Sequence, residues 1–154
     1  MEKQIADTAR GLGIVVGATV LLATAFGVAG AVYGPIGEVE TDMFDIIRYG
    51  QLALTVMAAV QGSVMNRALT AKLEKAGTDE AKLAVYKTRA LIVVAGAEGA
   101  ALFAGIALLL TGPHVLTVPA FVLFAVVTVV MFPTPARVRL ALTGKPAETK
   151  DKYA

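Results

Sequence analysis

Glu98 is the residue whose type and position most directly suggest chemistry in this chain. It is the one ionisable side chain in the apolar stretch of residues 90–112. A helix that spans a bilayer needs about 20 mostly apolar residues, and this stretch supplies them. A carboxylate at such a depth costs roughly 2.5–3.5 kcal/mol on insertion scales, so it should face a partner or a cavity rather than lipid. Such a group can bind a proton or a cation.

Gln61 and Ser63 are candidate partners for this carboxylate. Glu98 lies nine residues beyond Arg89, or about 13 Å along a helix, and Gln61 lies six residues, or about 9 Å, from the corresponding end of the preceding antiparallel span. The amide and the hydroxyl could therefore donate hydrogen bonds at a similar depth. Three roles for Glu98 stay open: a structural hydrogen bond that fixes helix register, a proton or cation site, and a polar contact with a partner subunit or lipid headgroup.

Other catalytic chemistries lack the residues they need. The chain has no cysteine, which excludes zinc-thiolate sites, Fe–S clusters and disulfides. His114 stands alone at a predicted turn, and no histidine pattern activates Ser63 as a nucleophile. Glu98 has no second intramembrane acid, and no glycine-rich phosphate loop follows a strand. We therefore predict that the protein is not an enzyme, holds no cofactor or metal and binds no nucleic acid.

The composition indicates a membrane protein. The chain is 56% hydrophobic and has a mean hydropathy of +0.70, which is too apolar for an ordinary soluble domain. The first apolar run resembles a signal peptide at Ala29-Gly30-Ala31, but it is longer than a signal h-region, so we predict a helix. The predicted fold is all-α, a four-helix transmembrane bundle in a single domain, 1–154. The predicted spans are residues 11–34, 48–67, 89–111 and 115–132, and residues 144–154 form a mobile polar tail.

The connections between these spans carry most of the charge. Residues 35–47 contain acids and no Lys or Arg, and they lack a dense calcium-loop pattern, which favours a solvated acidic loop over a cation site. Thr41 or Asp42 is predicted to cap a short interfacial helix there. Residues 68–86 are predicted to form helical extensions of the second and third spans, which meet at a turn where Thr78 caps the second extension.

The Lys and Arg distribution gives the orientation. Two lie at the N-terminus, six in the connection from residue 67 to residue 89, and five in the C-terminal part. Only Arg48 lies on the other side of a four-span arrangement, so thirteen of the fourteen basic residues share one side. By the positive-inside rule, both termini should be cytoplasmic in a multi-pass protein of the cytoplasmic membrane.

Small and polar residues predict where helices pack. Gln51 and Thr55 begin a polar face on the second span that continues through Ala58 and Gly62 at helical spacing, and this face should pack on another helix. Glycines in membrane helices let backbones approach closely. The predicted packing glycines are Gly13, Gly17, Gly30, Gly34, Gly99 and Gly105. We expect the partners of these faces to be the lipid bilayer, copies of the chain, or other membrane subunits.

Two resemblances bear on function. Residues 97–105, Ala-Glu-Gly-Ala-Ala-Leu-Phe-Ala-Gly, resemble the carboxylate helix of the rotary ATP synthase c subunit, and the likeness extends over about 45 residues, 67–110. It implies that Glu98 carries an ion and that Gln61 is an ion ligand. The connection here is longer than in that family and lacks Arg-Gln-Pro, the second span is not glycine-rich, and two further spans are present.

The chain is more similar to small bacterial four-span membrane proteins of unknown role. They share a Glu-bearing third helix, a Thr-Gly turn, an apolar fourth helix and a Phe-Pro-Thr exit, seen here at Glu98, residues 111–112 and residues 132–134. This resemblance implies no activity. The expected function is that of a non-catalytic accessory or self-assembling subunit, and the alternative is proton or cation translocation through Glu98.

Overall fold

The described part of the chain is entirely helical. The structure is a computed structural model that describes residues 2–36 and 40–144. No strand occurs among these residues, which confirms the predicted all-α class. The elements are α1 (Glu2–Tyr33), α2 (Thr41–Lys75), α3 (Asp79–Thr111), a 3₁₀ turn (Val115–Thr117), α4 (Val118–Met131) and α5 (Pro135–Thr143).

Three of these helices are long and apolar enough to cross a membrane. They are α1, α2 and α3, which have 32, 35 and 33 residues. The stretch from the 3₁₀ turn through α4 meets the same test only together with α5, across a bend of 67°. By length and composition, three helices of the described residues could cross a membrane, or four if the bent pair counts as one span.

The helix ends extend beyond the predicted spans. The turn before α3 is as predicted, since Thr78 is its N-cap and the Thr78 hydroxyl accepts the Ala81 N–H at 3.2 Å. The separate interfacial helix capped by Thr41 or Asp42 is wrong. Glu40 is the N-cap, without a side-chain capping bond, and residues 41–47 are the first turns of α2. No proline or glycine interrupts residues 41–49, so nothing in the sequence breaks the helix there. Beyond Gly144, the predicted tail lies outside the described residues.

α3 is the central helix of the bundle. In the most apolar 18-residue segment of each helix, half of the residues of α3 are buried, whereas 17% are buried in α1 and 11% in α2. α3 packs against α1, α2 and α4. Half of its twelve buried positions are alanines, which let neighbouring helices approach from several directions. The buried alanines of α3 are Ala90, Ala97, Ala100, Ala101, Ala104 and Ala107.

The two ends of the bundle differ in charge. We call the end where α1 begins and α2 ends the basic end, and the end that carries Arg48 the opposite end. At the basic end, α5 lies across the other helices and buries Val138 and Leu142 against α1, α2 and α3. The Thr134 hydroxyl caps α5 by accepting the Arg137 N–H at 3.3 Å, and Gly144 ends it with a φ of +67°.

Candidate functional site

Glu98 lies at the edge of the packed core of α3. It follows Ala97, which is buried in a cluster with Ala23 of α1, Ala101 of α3 and Phe124 of α4. The Glu98 side chain is partly exposed, and it makes no hydrogen bond or ion pair with any described residue. The carboxyl group is therefore not satisfied within the described part of the chain.

A groove between α1 and α3 lies on the same face as Glu98. Lys87, Leu91 and Glu98 follow one another at spacings of four and seven residues, which places them on one side of the helix. Lys87 and Leu91 line a groove of about 440 Å³ together with Asp7 and Thr8 of α1. Gln4 and Leu83 line the part of the groove nearest to the basic end, and Asp7 and Lys87 are its charged groups. Glu98 does not line the groove and lies two turns beyond Leu91 along α3.

Gln61 and Ser63 are not joined to Glu98. Gln61 is exposed and has no hydrogen-bond partner among the described residues. The Ser63 hydroxyl donates to the Ala59 carbonyl at 2.8 Å, and Ser63 lines a different groove, between α2, α3 and α4. The three candidate residues therefore do not form a shared ligand set. Within the described residues, no group of three or more His, Asp or Glu side chains could hold a metal ion.

Three of the predicted packing glycines lie where α1 meets α3. A Cβ atom added to Gly30 would lie 2.6 Å from Leu108 Cβ and 2.7 Å from the Gly105 carbonyl oxygen. A Cβ atom on Gly105 would lie 2.9 Å from Phe26 Cβ, and one on Gly34 would overlap the Leu108 carbonyl oxygen. At these positions only glycine permits the observed approach of the two backbones.

The other three glycines have open space around them. A Cβ atom added to Gly13, Gly17 or Gly99 would meet no other atom within 4 Å. These positions therefore do not mediate helix packing among the described residues. Their helix surfaces remain open to lipid or to another chain.

Arg48 caps the C-terminus of α3 at the opposite end. Its Nη2 atom donates to the Thr111 carbonyl oxygen at 3.0 Å and its Nε to the Thr111 hydroxyl at 3.4 Å. The guanidinium carbon lies 5.4 Å from the centroid of the Phe44 ring. The last carbonyls of a helix lack intrahelical partners and favour a cation. Among the described residues, Arg48 is the one basic residue outside the basic end, and this contact gives a structural reason for it. In the sequence, only its exceptional position in the charge count indicated such a role.

The polar face of α2 is buried next to Arg48. Gln51 and Thr55 are 3% and 4% exposed, which confirms the packing of the first part of the predicted face. Farther along it, Ala58 and Gly62 are partly exposed. The Gln51 Nε2 atom donates to the Thr55 hydroxyl at 2.8 Å, and that hydroxyl donates to the Gln51 carbonyl at 3.0 Å. The Gln51 Oε1 atom and both ring nitrogens of His114 are buried without a partner among the described residues.

His114 should make stability depend on pH. Burial lowers the pKa of His114, and the positive charge of Arg48 lowers it further. The neutral ring is thus favoured in the folded state. We expect full stability above pH about 6.5, the ordinary histidine pKa, and a loss as the pH falls through the lowered pKa of the folded protein. Thermal unfolding between pH 8 and pH 5 measures this. His114 is the only histidine, so His114→Gln should remove the loss, and an unchanged loss in that variant would contradict the assignment.

No protein-family model, curated protein or solved structure matches this chain. The most buried helix, α3, carries the carboxyl group of Glu98, which has no partner among the described residues.

Proposed function

We propose that this chain is a four-span protein of the cytoplasmic membrane, with both termini in the cytoplasm, that serves as a non-catalytic subunit of a larger membrane assembly. The assembly consists of copies of the chain or includes other subunits. Three long apolar helices and a bent pair support the membrane location. In the four-span arrangement predicted from the sequence, thirteen of the fourteen basic residues share one side, which supports the orientation.

The observation that carries this proposal is the unsatisfied carboxyl group of Glu98. An acidic side chain in the middle of a span costs roughly 2.5–3.5 kcal/mol, and such groups face a bundle interior or pair with another polar group. Glu98 is partly exposed and finds no partner in the described chain. A donor from a neighbouring chain would offset this cost, which favours assembly.

Two further features agree with a partner in the membrane. The apolar segments of α1 and α2 are mostly unburied in the single chain. The open glycines Gly13, Gly17 and Gly99 offer helix surfaces on which a second backbone can approach.

The test measures the native mass of the wild-type protein and of the Glu98→Leu and Glu98→Gln variants. Each protein is purified from its own membrane without overexpression. Polar contacts between membrane helices are worth about 1–2 kcal/mol in model peptides. Leucine should therefore weaken assembly by roughly 5- to 30-fold, whereas glutamine, which can still form hydrogen bonds, should retain part of it. Gln61→Leu is the control for loss of an exposed polar side chain elsewhere. A monomeric wild-type protein, or a Glu98→Leu variant that assembles normally, would contradict the proposal.

The groove between α1 and α3 favours a second candidate, which is proton or cation translocation through Glu98. The groove contains the charged groups of Asp7 and Lys87, and Lys87 and Leu91 lie on the face of α3 that carries Glu98. An accessible carboxyl that exchanges protons should react with a hydrophobic carbodiimide at neutral pH, and Glu98→Gln should abolish the labelling. Slow or absent labelling of wild-type protein would count against translocation. A ring of many copies would favour translocation, and a single copy among unrelated subunits would favour an accessory role.

A further inference from the structure

A cavity at the basic end combines two arginines with apolar walls. Its volume is about 300 Å³, and it lies under α5, where α2 and α4 end and α3 begins. Tyr86, Arg89 and Arg137 supply its polar groups. The remaining lining residues are apolar, among them Leu73, Val130 and Met131, and no acidic residue in the described part of the chain lines the cavity.

Both arginines are held in place by neutral acceptors. Arg89 donates from Nε to the Asn66 side-chain oxygen at 2.7 Å, which ties α3 to α2. Arg137 donates from Nη1 to the carbonyl oxygens at the end of α4, those of Val129, Val130 and Phe132, at 2.8, 2.9 and 3.1 Å. These contacts fix the two side chains and leave further N–H groups of each guanidinium available.

No carboxylate of the described chain neutralises these two charges. Among the described residues the ion pair joins Arg139 to Glu2, and neither Arg89 nor Arg137 takes part in one. The Tyr86 hydroxyl also has no hydrogen-bond partner among the described residues. Two fixed positive charges and a free phenolic donor therefore line one cavity.

We propose that this cavity binds the phosphate group of an anionic membrane phospholipid. The planar guanidinium group matches the oxygens of a phosphate and binds them in pairs. Basic pockets between membrane helices on the cytoplasmic side are suited to lipid headgroups. The walls formed by Leu73, Val130 and Met131 fit the first methylene groups of the acyl chains, and Tyr86 donates a further hydrogen bond to the phosphate.

The position of the cavity favours a lipid over a soluble anion. Arg89 directly precedes the apolar residues of the third span, and α4 ends at Met131. The cavity thus lies at the border between the apolar segments and the charged ends of the helices, which is the depth of a phospholipid phosphate. Inorganic phosphate offers the same oxygens to the arginines but nothing to the apolar walls.

The test measures lipid binding to the full-length protein in detergent, by native mass spectrometry with phosphatidylglycerol and phosphatidylcholine. We expect phosphatidylglycerol to bind more tightly. Each basic residue near a membrane surface contributes about fivefold in affinity. Arg89→Gln and Arg137→Gln should each cost about fivefold, and the double variant about thirtyfold. Arg139→Gln is the matched control, since it removes the same charge from α5 at a residue that does not line the cavity.

Several outcomes would overturn the proposal. The double variant could keep its affinity for phosphatidylglycerol, or Arg139→Gln could lose as much as Arg137→Gln, which would mean unspecific attraction. Displacement of the lipid by millimolar inorganic phosphate would show a site for free phosphate instead. If the double variant does not fold by circular dichroism, the wild-type protein decides: equal affinity for the two lipids contradicts the proposal.

Discussion

Replacing Gly30 with alanine should destabilise the protein by about 1–3 kcal/mol, the usual cost of overpacking a tight contact. The new methyl group would lie 2.6 Å from Leu108 Cβ and 2.7 Å from the Gly105 carbonyl oxygen. The second contact is with backbone, so a change of rotamer cannot relieve it. α1 would have to move away from α3, and the contact around Gly105 and Phe26 would open with it.

Gly11→Ala is the matched control for this prediction, because it makes the same change in the same helix. A Cβ atom at Gly11 meets nothing within 4 Å, and replacing glycine by alanine in a helix gains about 0.5–1 kcal/mol. The two variants should therefore differ by roughly 1.5–4 kcal/mol. Unfolding in mixed micelles with a denaturing detergent measures both. Equal stabilities of the two variants would show that the close approach at Gly30 does not exist.

The glycines of the first predicted span also show how much of the helix packing the sequence could predict. Gly13 with Gly17 and Gly30 with Gly34 have the same four-residue spacing. The spacing indicates that the backbone of a second helix can approach these glycines, but it does not determine whether a second helix packs there. α3 lies against Gly30 and Gly34 and leaves Gly13 and Gly17 open. That difference depends on how α1 is rotated about its axis relative to α3. The pattern of residues within a single helix does not determine this rotation.

The same limit applies to the partners of Glu98. Apolar length and helical rise placed Glu98, Gln61 and Ser63 at similar depths. Gln61 and Ser63 are two residues apart, however, so they point about 200° apart around α2, and they could not both have met one carboxyl group. Depth follows from counting residues, whereas the direction of a side chain follows from which helices pack together.

Hydropathy also predicted which segments are helical more accurately than it predicted the residues at which the helices begin and end. The apolar segments of the first three spans were predicted, and the corresponding helices are 32 to 35 residues long, well beyond the roughly 20 that cross a bilayer. Polarity marks where the predicted membrane segment stops, but a helix continues until a residue breaks it. Thr78 signalled such an end by its capping chemistry, whereas residues 41–47 carried no break and were wrongly separated from the second span.

Replacing Arg48 with methionine should destabilise the protein by about 1.5–3 kcal/mol, the usual worth of a hydrogen bond to a charged group. Methionine keeps an apolar stem of similar length but removes both donors to Thr111. The C-terminal carbonyl of α3 then loses its cation. Arg139→Met is the control, because its ion pair with Glu2 is exposed, and exposed pairs contribute only about 0–1 kcal/mol.

Arg48→Met also separates two roles that a basic residue can have in a membrane protein. The positive-inside rule treats Arg48 as an exception, so its removal should leave the orientation unchanged or more strongly specified. A structural role for Arg48 predicts that Arg48→Met is less stable even though its orientation is unchanged. Unfolding in mixed micelles, together with accessibility labelling of single cysteines placed at each end, measures both properties. An inverted orientation, or stability equal to that of Arg139→Met, would mean that Arg48 does not act through the end of α3.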